Sequence, residues 1–231
     1  SENSVAIANH FNQYFHSVFS PIQDSTPYNM PLPNLSSEFI IVEGVINMLL
    51  NLKIRSSVGP DNIPNAFLHR YAEPLGHILT HLFRLSFDCT EIPDDWRMAC
   101  VVPIFKKGDR LFANNYRPIS LTSSICKLFE HVVSDFIVSF LEANNILTPC
   151  QHGFRRRLST LTQLVTTIHE LASSLDKAEQ IDVIFLDFSK AFDRVPHSKL
   201  ILKLQKIGLP ITLIKWIQCY LSNRKQFVKN Q

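Results

Sequence analysis

The spacing of apolar residues at the start of the chain is that of an amphipathic helix. Apolar side chains recur three or four residues apart at Val5, Ala8, Phe11, Phe15 and Phe19. This spacing predicts a helix that ends before Pro21, because proline cannot continue a helix. The stretch over 20–37 is rich in Pro, Asn and Ser and is predicted to be a linker.

Two further helices are predicted before residue 90. One begins at Ser36 or Ser37, either of which can cap it, and runs to Leu50. A Gly-Pro pair at 59–60 then specifies a turn. The next helix has Pro74 in its first turn, where a missing backbone N–H costs nothing.

The pattern becomes that of strands near residue 100. A short β-prone run over 101–105 is followed by a charged turn over 106–109, and residues 116–120 can return as the second strand of a hairpin. A long helix is predicted over 121–141, where apolar residues form one wide stripe.

The last third of the chain alternates between helical and strand patterns. A basic loop over 151–160 ends in Ser159, a good cap for a following helix. Residues 183–186 form a continuous apolar run that stops at Asp187. This run predicts a strand within 181–187 that is buried on both faces. Helices are predicted over 198–207 and 211–221, so the fold class is α+β.

Composition limits the classes of protein without choosing among them. The 231 residues are 45% hydrophobic and 19% charged, which is ordinary for a globular protein. No apolar run reaches the ~18 residues of a membrane span and no signal peptide is recognisable, so we expect an intracellular protein, nuclear or cytoplasmic. The net charge of +3 permits a nucleic-acid partner without arguing for one. Five scattered cysteines predict buried free thiols rather than disulfides or a zinc site.

Asp187 is the sharpest chemical feature of the residue pattern. A buried strand that ends in a carboxylate can present a metal ligand to a polyphosphate, although such an aspartate is more often a turn or capping residue. Asp187 and Asp193 could suggest a glycosidase pair, but nothing in the sequence shows that their side chains converge. His77 and His81 have the spacing of metal ligands on a helix, but no Glu or third ligand accompanies them.

Five segments resemble, in the same order, motifs of the reverse transcriptases of non-LTR (LINE-type) retrotransposons. They are 59–64 (GPDNIP), 102–109 (VPIFKKGD), 115–123 (NYRPISLTS), 151–160 (QHGFRRRLST) and 185–197 (FLDFSKAFDRVPH). The resemblance implies a helical N-terminal region over 1–86. It further implies that 87–231 forms the fingers and the first half of the palm of a right-hand polymerase.

The resemblance also implies an RNA-directed DNA polymerase that uses an RNA template, a DNA primer, dNTPs and two Mg²⁺ ions. Asp187 and the backbone carbonyl of Phe188 would bind these ions, as two-metal nucleotidyl transfer requires. Phe192 would lie against C2′ of the incoming nucleotide and exclude a 2′-hydroxyl. The alternative for Phe192 is an ordinary core aromatic residue.

Basic residues have implied roles in binding the nucleotide and the template. Arg117 would contact the triphosphate, with Lys106 or Lys107 assisting, although a solvated hairpin tip explains the two lysines equally well. Four residues of the basic loop would line the template path: Gln151, Arg155, Arg156 and Arg157. No membrane partner is expected, and the oligomeric state is left open.

Two later motifs of the family do not occur in the chain. These are a Gln-Gly-containing motif and the Tyr-x-Asp-Asp hairpin whose carboxylate completes the metal site, so the resemblance indicates a truncated polymerase. We therefore expect the isolated chain not to extend a primer. A non-catalytic nucleic-acid-binding remnant of a decayed element is the alternative.

Overall fold

The computed structural model describes residues 2–20 and 31–229, with nine helices and three strands among them. The helices are α1 (Glu2–Ser17), α2 (Val42–Leu50), α3 (Asn65–Arg70), α4 (Ala72–Cys89), α5 (Asp94–Arg97), α6 (Ser124–Ala143), α7 (Thr160–Asp176), α8 (His197–Lys206) and α9 (Ile211–Leu221). The strands are β1 (Met98–Phe105), β2 (Tyr116–Leu121) and β3 (Lys225–Val228). The mixture confirms the α+β class.

Contacts divide the chain into two compact units. The larger unit contains residues 1–133 and 190–231, and the smaller unit contains residues 134–189. The larger unit carries the sheet and the main cores, while the smaller unit carries the basic loop and α7. The boundary at residue 86 between a helical region and a polymerase region stays a prediction.

The three strands form one sheet in the order β2-β1-β3. Strands β1 and β2 pair antiparallel, with Ile104 opposite Arg117 and Phe105 opposite Tyr116, which confirms the predicted hairpin. Strand β3 pairs parallel to β1 and has no counterpart among the predicted strands. Its four residues are too few to show an alternating pattern, and its pairing depends on a strand more than 100 residues away.

The main core of the larger unit is aromatic. Phe83 of α4 stacks on Phe129 of α6 with ring centroids 4.7 Å apart, and Trp216 of α9 meets the edge of Phe129 at 4.8 Å. Trp96 closes the cluster against Phe83. All four side chains are buried, so these contacts fix the three helices relative to the hairpin that follows α5.

A second buried cluster joins α1 to the sheet. Phe11 and Phe15 stack at 5.7 Å and pack with Val101 of β1, while Tyr116 of β2 meets the edge of Phe11 at 4.8 Å. The predicted helix over the first residues is therefore confirmed. Its apolar face is part of the larger unit.

Several predicted helix boundaries depend on local chemistry and agree with the structure. Ser159 caps α7 through a capping box with Thr162, and Gly208 follows α8 with φ of +81°.

The predicted start of the second helix is wrong, since Ser36 caps a separate 3₁₀ turn over 37–39 and α2 begins only at Val42. Part of the predicted linker, residues 21–30, lies outside the described residues.

The predicted buried strand over 181–187 is wrong. These residues have no regular secondary structure, and Ile184, Phe185 and Leu186 are 81%, 92% and 89% exposed. An apolar run forms a strand only where other strands satisfy its backbone and cover its side chains. Among the described residues no strand pairs with this segment.

Helix α7 also leaves its apolar stripe in solvent. Leu161, Leu164, Val165 and Ile168 are all exposed, and α7 has no buried residue.

Within the described ranges, no helix combines the length and the apolar character that crossing a membrane requires.

Candidate nucleotide- and template-binding residues

The β1-β2 hairpin carries three of the predicted nucleotide-binding residues. Arg117 is exposed on β2, and Lys106 and Lys107 are exposed at the hairpin tip. The backbone N–H of Lys106 donates to the carbonyl of Asn115 at 2.8 Å and so closes the ladder. None of these three cations forms an ion pair with another described residue, so their charge is available to an anion.

The tip of the hairpin depends on a glycine and an asparagine. Gly108 has φ of +89°, a backbone conformation that residues with a Cβ rarely adopt. The Asn115 side-chain amide donates to the carbonyl of Asp109 at 2.7 Å and spans the loop. This local chemistry explains why Lys-Lys-Gly-Asp forms a turn here.

An open groove of about 1080 Å³ lies along one face of the sheet. Val102, Ile104 and Ile119 line its strand side, and the 57–60 loop lines another side. Directly opposed residues of an antiparallel pair point to the same face, so Arg117 shares the face of its partner Ile104.

The segment 59–64 is held against the end of this hairpin. A Cβ at Gly59 would collide with the backbone carbonyl of Thr122, so only glycine permits this approach. The Asn62 N–H donates to the Gly59 carbonyl at 3.1 Å, which confirms the predicted turn. Three of the five motif segments, 59–64, 102–109 and 115–123, therefore meet around one groove.

Phe192 lies in the turn formed by residues 190–194 (the 190–194 turn). The Arg194 N–H donates to the Lys190 carbonyl at 3.2 Å, and the Val195 N–H donates to the Phe192 carbonyl at 3.3 Å. The Phe192 side chain is 79% exposed, so the alternative of an ordinary core aromatic does not describe it.

Asp187 and Phe188 belong to the smaller unit and lie in the irregular segment that follows α7. Both side chains are exposed. Among the described residues, no group of three or more His, Cys, Asp or Glu side chains is placed to hold a metal ion. One exposed carboxylate does not fit two divalent cations, so this part of the chain does not by itself form the implied metal centre.

Two of the three loop arginines are engaged by carboxylates of α6. Arg155 lies 3.8 Å from Glu142 and donates to the Thr148 carbonyl at 3.2 Å, while Arg156 donates to Asp135 at 2.9 Å. Arg157 is exposed and has no hydrogen bond or ion pair with any described residue. It is therefore the arginine of this loop with an available charge.

The remaining loop residues define the shape of the loop. The Gln151 side chain donates to the Gly153 carbonyl at 3.2 Å, and the His152 ring bonds the Thr162 hydroxyl at 2.8 Å. Phe154 has φ of +60° and is 85% exposed beside the arginines in sequence.

A partly buried polar cluster around Glu130 was not predicted from the sequence. Its Oε1 accepts hydrogen bonds from the Tyr220 hydroxyl at 2.6 Å and from the Cys126 thiol at 3.2 Å. The Arg224 guanidinium lies 4.7 Å from the Tyr220 ring centre. Burial, reinforced by the Glu130 carboxylate, raises the pKa of both Cys126 and Tyr220 well above their ordinary ranges. These groups therefore stay protonated at neutral pH and act as hydrogen-bond donors.

Comparison with known proteins agrees with the motif pattern. A family described as Reverse transcriptase (RNA-dependent DNA polymerase) matches residues 104–231. The chain is 31% identical over 242 aligned residues to a probable RNA-directed DNA polymerase from transposon BS of Drosophila melanogaster, covering 99% of this chain and 26% of the relative. It is 32% identical over 187 residues to a probable RNA-directed DNA polymerase from transposon X-element of the same fly, covering 80% of this chain and 20% of that relative.

A more distant relative comes from a beetle. A Retrovirus-related Pol polyprotein from the type-1 retrotransposable element R2 of Popillia japonica is 29% identical over 154 residues, covering 67% of this chain and 20% of the relative. The chain thus spans about a quarter or less of the length of these relatives.

Proposed function

This chain belongs to the reverse transcriptase (RNA-dependent DNA polymerase) family, and we propose that it forms the fingers and first palm segment of a retrotransposon polymerase that copies RNA into DNA. The observation that carries this proposal is the convergence of segments 59–64, 102–109 and 115–123 around one groove, with Arg117 on the same face of the sheet.

Arg117 is the proposed triphosphate ligand. A guanidinium fork matches phosphate oxygens in a bidentate manner, and Arg117 is exposed without an ion pair among the described residues. Lys106 and Lys107 at the hairpin tip add positive charge nearby in the same hairpin. Phe192 is the proposed contact to the nucleotide sugar, where a large ring would leave no space for a 2′-hydroxyl.

Arg157 is the proposed template contact of the basic loop, with Gln151, Arg155 and Arg156 in supporting positions. Phosphate contacts contribute affinity without sequence choice, as a polymerase that copies any template requires. The ion pairs of Arg155 and Arg156 with α6 reduce the charge that these two residues offer to RNA.

Divalent metal is used throughout the family, and Mg²⁺ is the proposed ion. Asp187 and the Phe188 carbonyl are the proposed contribution of this chain to binding it. The described residues do not supply a complete ligand set, so no catalytic step is assigned to them here.

Photo-crosslinking of a dNTP to the purified chain tests the triphosphate site. We expect crosslinks to map to the β1-β2 hairpin and to fall several-fold in Arg117→Ala, because the bidentate phosphate contact is lost. Arg70→Ala is the matched control, since it removes the same charge from an exposed position on α3. Equal labelling of the two variants would contradict the proposed role of Arg117.

RNA binding by the same chain distinguishes the proposed polymerase segment from a nucleic-acid-binding remnant. Arg157→Ala should weaken binding of single-stranded RNA and reduce its salt dependence, because one phosphate contact is removed. RNA binding without any dNTP crosslinking would favour the remnant. Crosslinking of both ligands supports the polymerase segment.

A further inference from the structure

Helix α1 and the short segment that follows it contact the two ends of the 190–194 turn. The Lys190 ammonium donates to the Tyr14 hydroxyl at 2.8 Å and lies 4.4 Å from the centre of the Tyr14 ring. The Ser20 hydroxyl, three residues after α1, donates to the Arg194 carbonyl at 2.8 Å. These contacts lie at positions 190 and 194, and Phe192 is the residue midway between them.

Tyr14 is itself fixed by the buried cluster of α1. Its ring packs beside Phe15 at 5.8 Å, and it covers the cluster formed by Phe11, Phe15 and Val101. The hydroxyl therefore projects from a rigid base, whereas Lys190 is exposed and would otherwise be free to move. The Lys190 backbone has φ of +52°, a conformation that a lysine rarely adopts without support from its surroundings.

The same helix also supports the residue next to Arg117. Phe11 meets the edge of the Tyr116 ring at 4.8 Å, and the Gln226 side-chain amide of β3 donates to Asn12 at 3.0 Å. Helix α1 is thus packed against the hairpin that carries Arg117 and bonded to the turn that carries Phe192. Both belong to the larger unit.

From these contacts we infer that Tyr14 is a positioning residue for nucleotide sugar selection. It holds Lys190, and through Lys190 it orients the 190–194 turn so that Phe192 meets the sugar of a nucleotide bound at Arg117. Tyr14 touches no reacting atom. The inference rests on the proposed function, since it requires a nucleotide at the hairpin and a sugar at Phe192.

Tyr14→Phe tests the inference, because it removes only the hydroxyl and keeps the ring that packs on the core. Amide hydrogen exchange by NMR should show Arg194 and Val195 exchanging roughly fivefold to tenfold faster, which is within the range for the loss of one ordinary exposed hydrogen bond. The preference of crosslinking for dATP over ATP should fall by a similar factor. Tyr71→Phe is the matched control, an exposed tyrosine whose hydroxyl has no hydrogen bond to a described residue.

Variants of Lys190 separate the hydrogen bond from general damage to the helix. Lys190→Met should reproduce both effects, the double variant with Tyr14→Phe should add nothing further, and Lys190→Arg should restore most of the dATP preference. Unchanged exchange and unchanged preference in Tyr14→Phe would overturn the inference. A chain that binds dATP and ATP equally well before any substitution overturns it too, whereas a chain that binds neither contradicts the proposed function itself.

Discussion

The hydroxyl of Tyr220 donates a 2.6 Å hydrogen bond to the carboxylate of Glu130 and so joins α9 to α6 within the larger unit. The Cys126 thiol donates to the same oxygen from one turn earlier on α6. An anionic phenolate or thiolate would face this carboxylate at close range in a partly buried site. The folded chain therefore favours the protonated forms of both groups.

The stability of the chain should decline at alkaline pH because of these two groups. The pKa of each is raised by folding, so the stabilisation is complete below the ordinary ranges, near about 8.5 for Cys and about 10 for Tyr, and is lost progressively above them. Each group contributes at most about 1.4 kcal/mol per pH unit. Urea denaturation between pH 8 and 11 measures the slope.

Tyr220→Phe provides the comparison for this pH dependence. It removes one titrating group. Above pH 10 the free energy of unfolding should therefore fall less steeply with pH, by up to the slope that one titrating proton contributes. It should also lower the free energy of unfolding at pH 7 by about 1–2 kcal/mol, because Glu130 loses its strongest hydrogen bond. A slope identical to that of the unsubstituted chain would show that Tyr220 does not control it.

Gly108→Ala should destabilise the hairpin that carries Arg117. The added Cβ would lie 2.7 Å from the Asn115 side-chain nitrogen, at a φ of +89° that alanine rarely adopts. We expect a loss of roughly 1–3 kcal/mol in thermal unfolding, together with weaker dNTP crosslinking. Gly153→Ala is the control, since its Cβ would meet no atom within 4 Å and no positive φ is required. Similar losses in both variants would refute the role of the turn.

The exposed stripe of α7 should make the isolated chain associate with itself. Leu164 and Ile168 are 57% and 55% exposed and one helical turn apart, and contiguous apolar patches of this kind drive association. Leu164→Glu should lower the sedimentation-detected oligomer fraction and the binding of a hydrophobic dye without reducing the melting temperature. Gln163→Glu, with the same new charge on the neighbouring exposed position, should change neither quantity.

Asp187 should not support primer extension by the isolated chain. At the implied metal site, Asp187 is one exposed carboxylate, whereas two-metal nucleotidyl transfer needs several converging oxygen ligands. No group of three or more potential ligands occurs among the described residues. Incubation with a primed RNA template, dNTPs and Mg²⁺ should therefore give no incorporation above background. Template-dependent incorporation that disappears in Asp187→Asn would contradict this expectation.

Features with a local chemical cause were predictable from the sequence. Ser159 caps α7 because its hydroxyl reaches an N–H three residues later, and the Lys-Lys-Gly-Asp turn forms because Gly108 accepts a positive φ and Asn115 bonds across the loop. Three of the ordered motifs fold into neighbouring positions around the groove, but the groove itself was not predicted from the sequence. The periodic apolar residues of α1, α4, α6 and α9 predicted that helices form there, but the same periodicity occurs in α7, whose apolar stripe is exposed, so it did not predict which helices form a core.

Features with a distant cause were not predictable in the same way. Phe185 and Leu186 show a preference for burial, but burial depends on partners that the run itself does not encode, and here both are exposed. Strand β3 exists because of β1, and the Glu130 hydrogen bonds exist because α9 returns to α6. The availability of Arg157, in contrast to Arg155 and Arg156, depends on where two carboxylates of α6 lie.

Helix α1 makes its side-chain hydrogen bonds across very long sequence separations. Tyr14 and Lys190 are 176 residues apart, and Asn12 and Gln226 are 214 residues apart. A ribosome adds about 5–20 residues per second, so α1 waits roughly ten to forty seconds for these partners to emerge. The apolar face of α1 is covered earlier, because Val101 of β1 and Tyr116 of β2, which pack with Phe11, are synthesised well before Lys190. The hydrogen bonds of α1 to Lys190 and Gln226 are thus among the last contacts to form in the nascent chain, and slow translation beyond residue 190 would delay them.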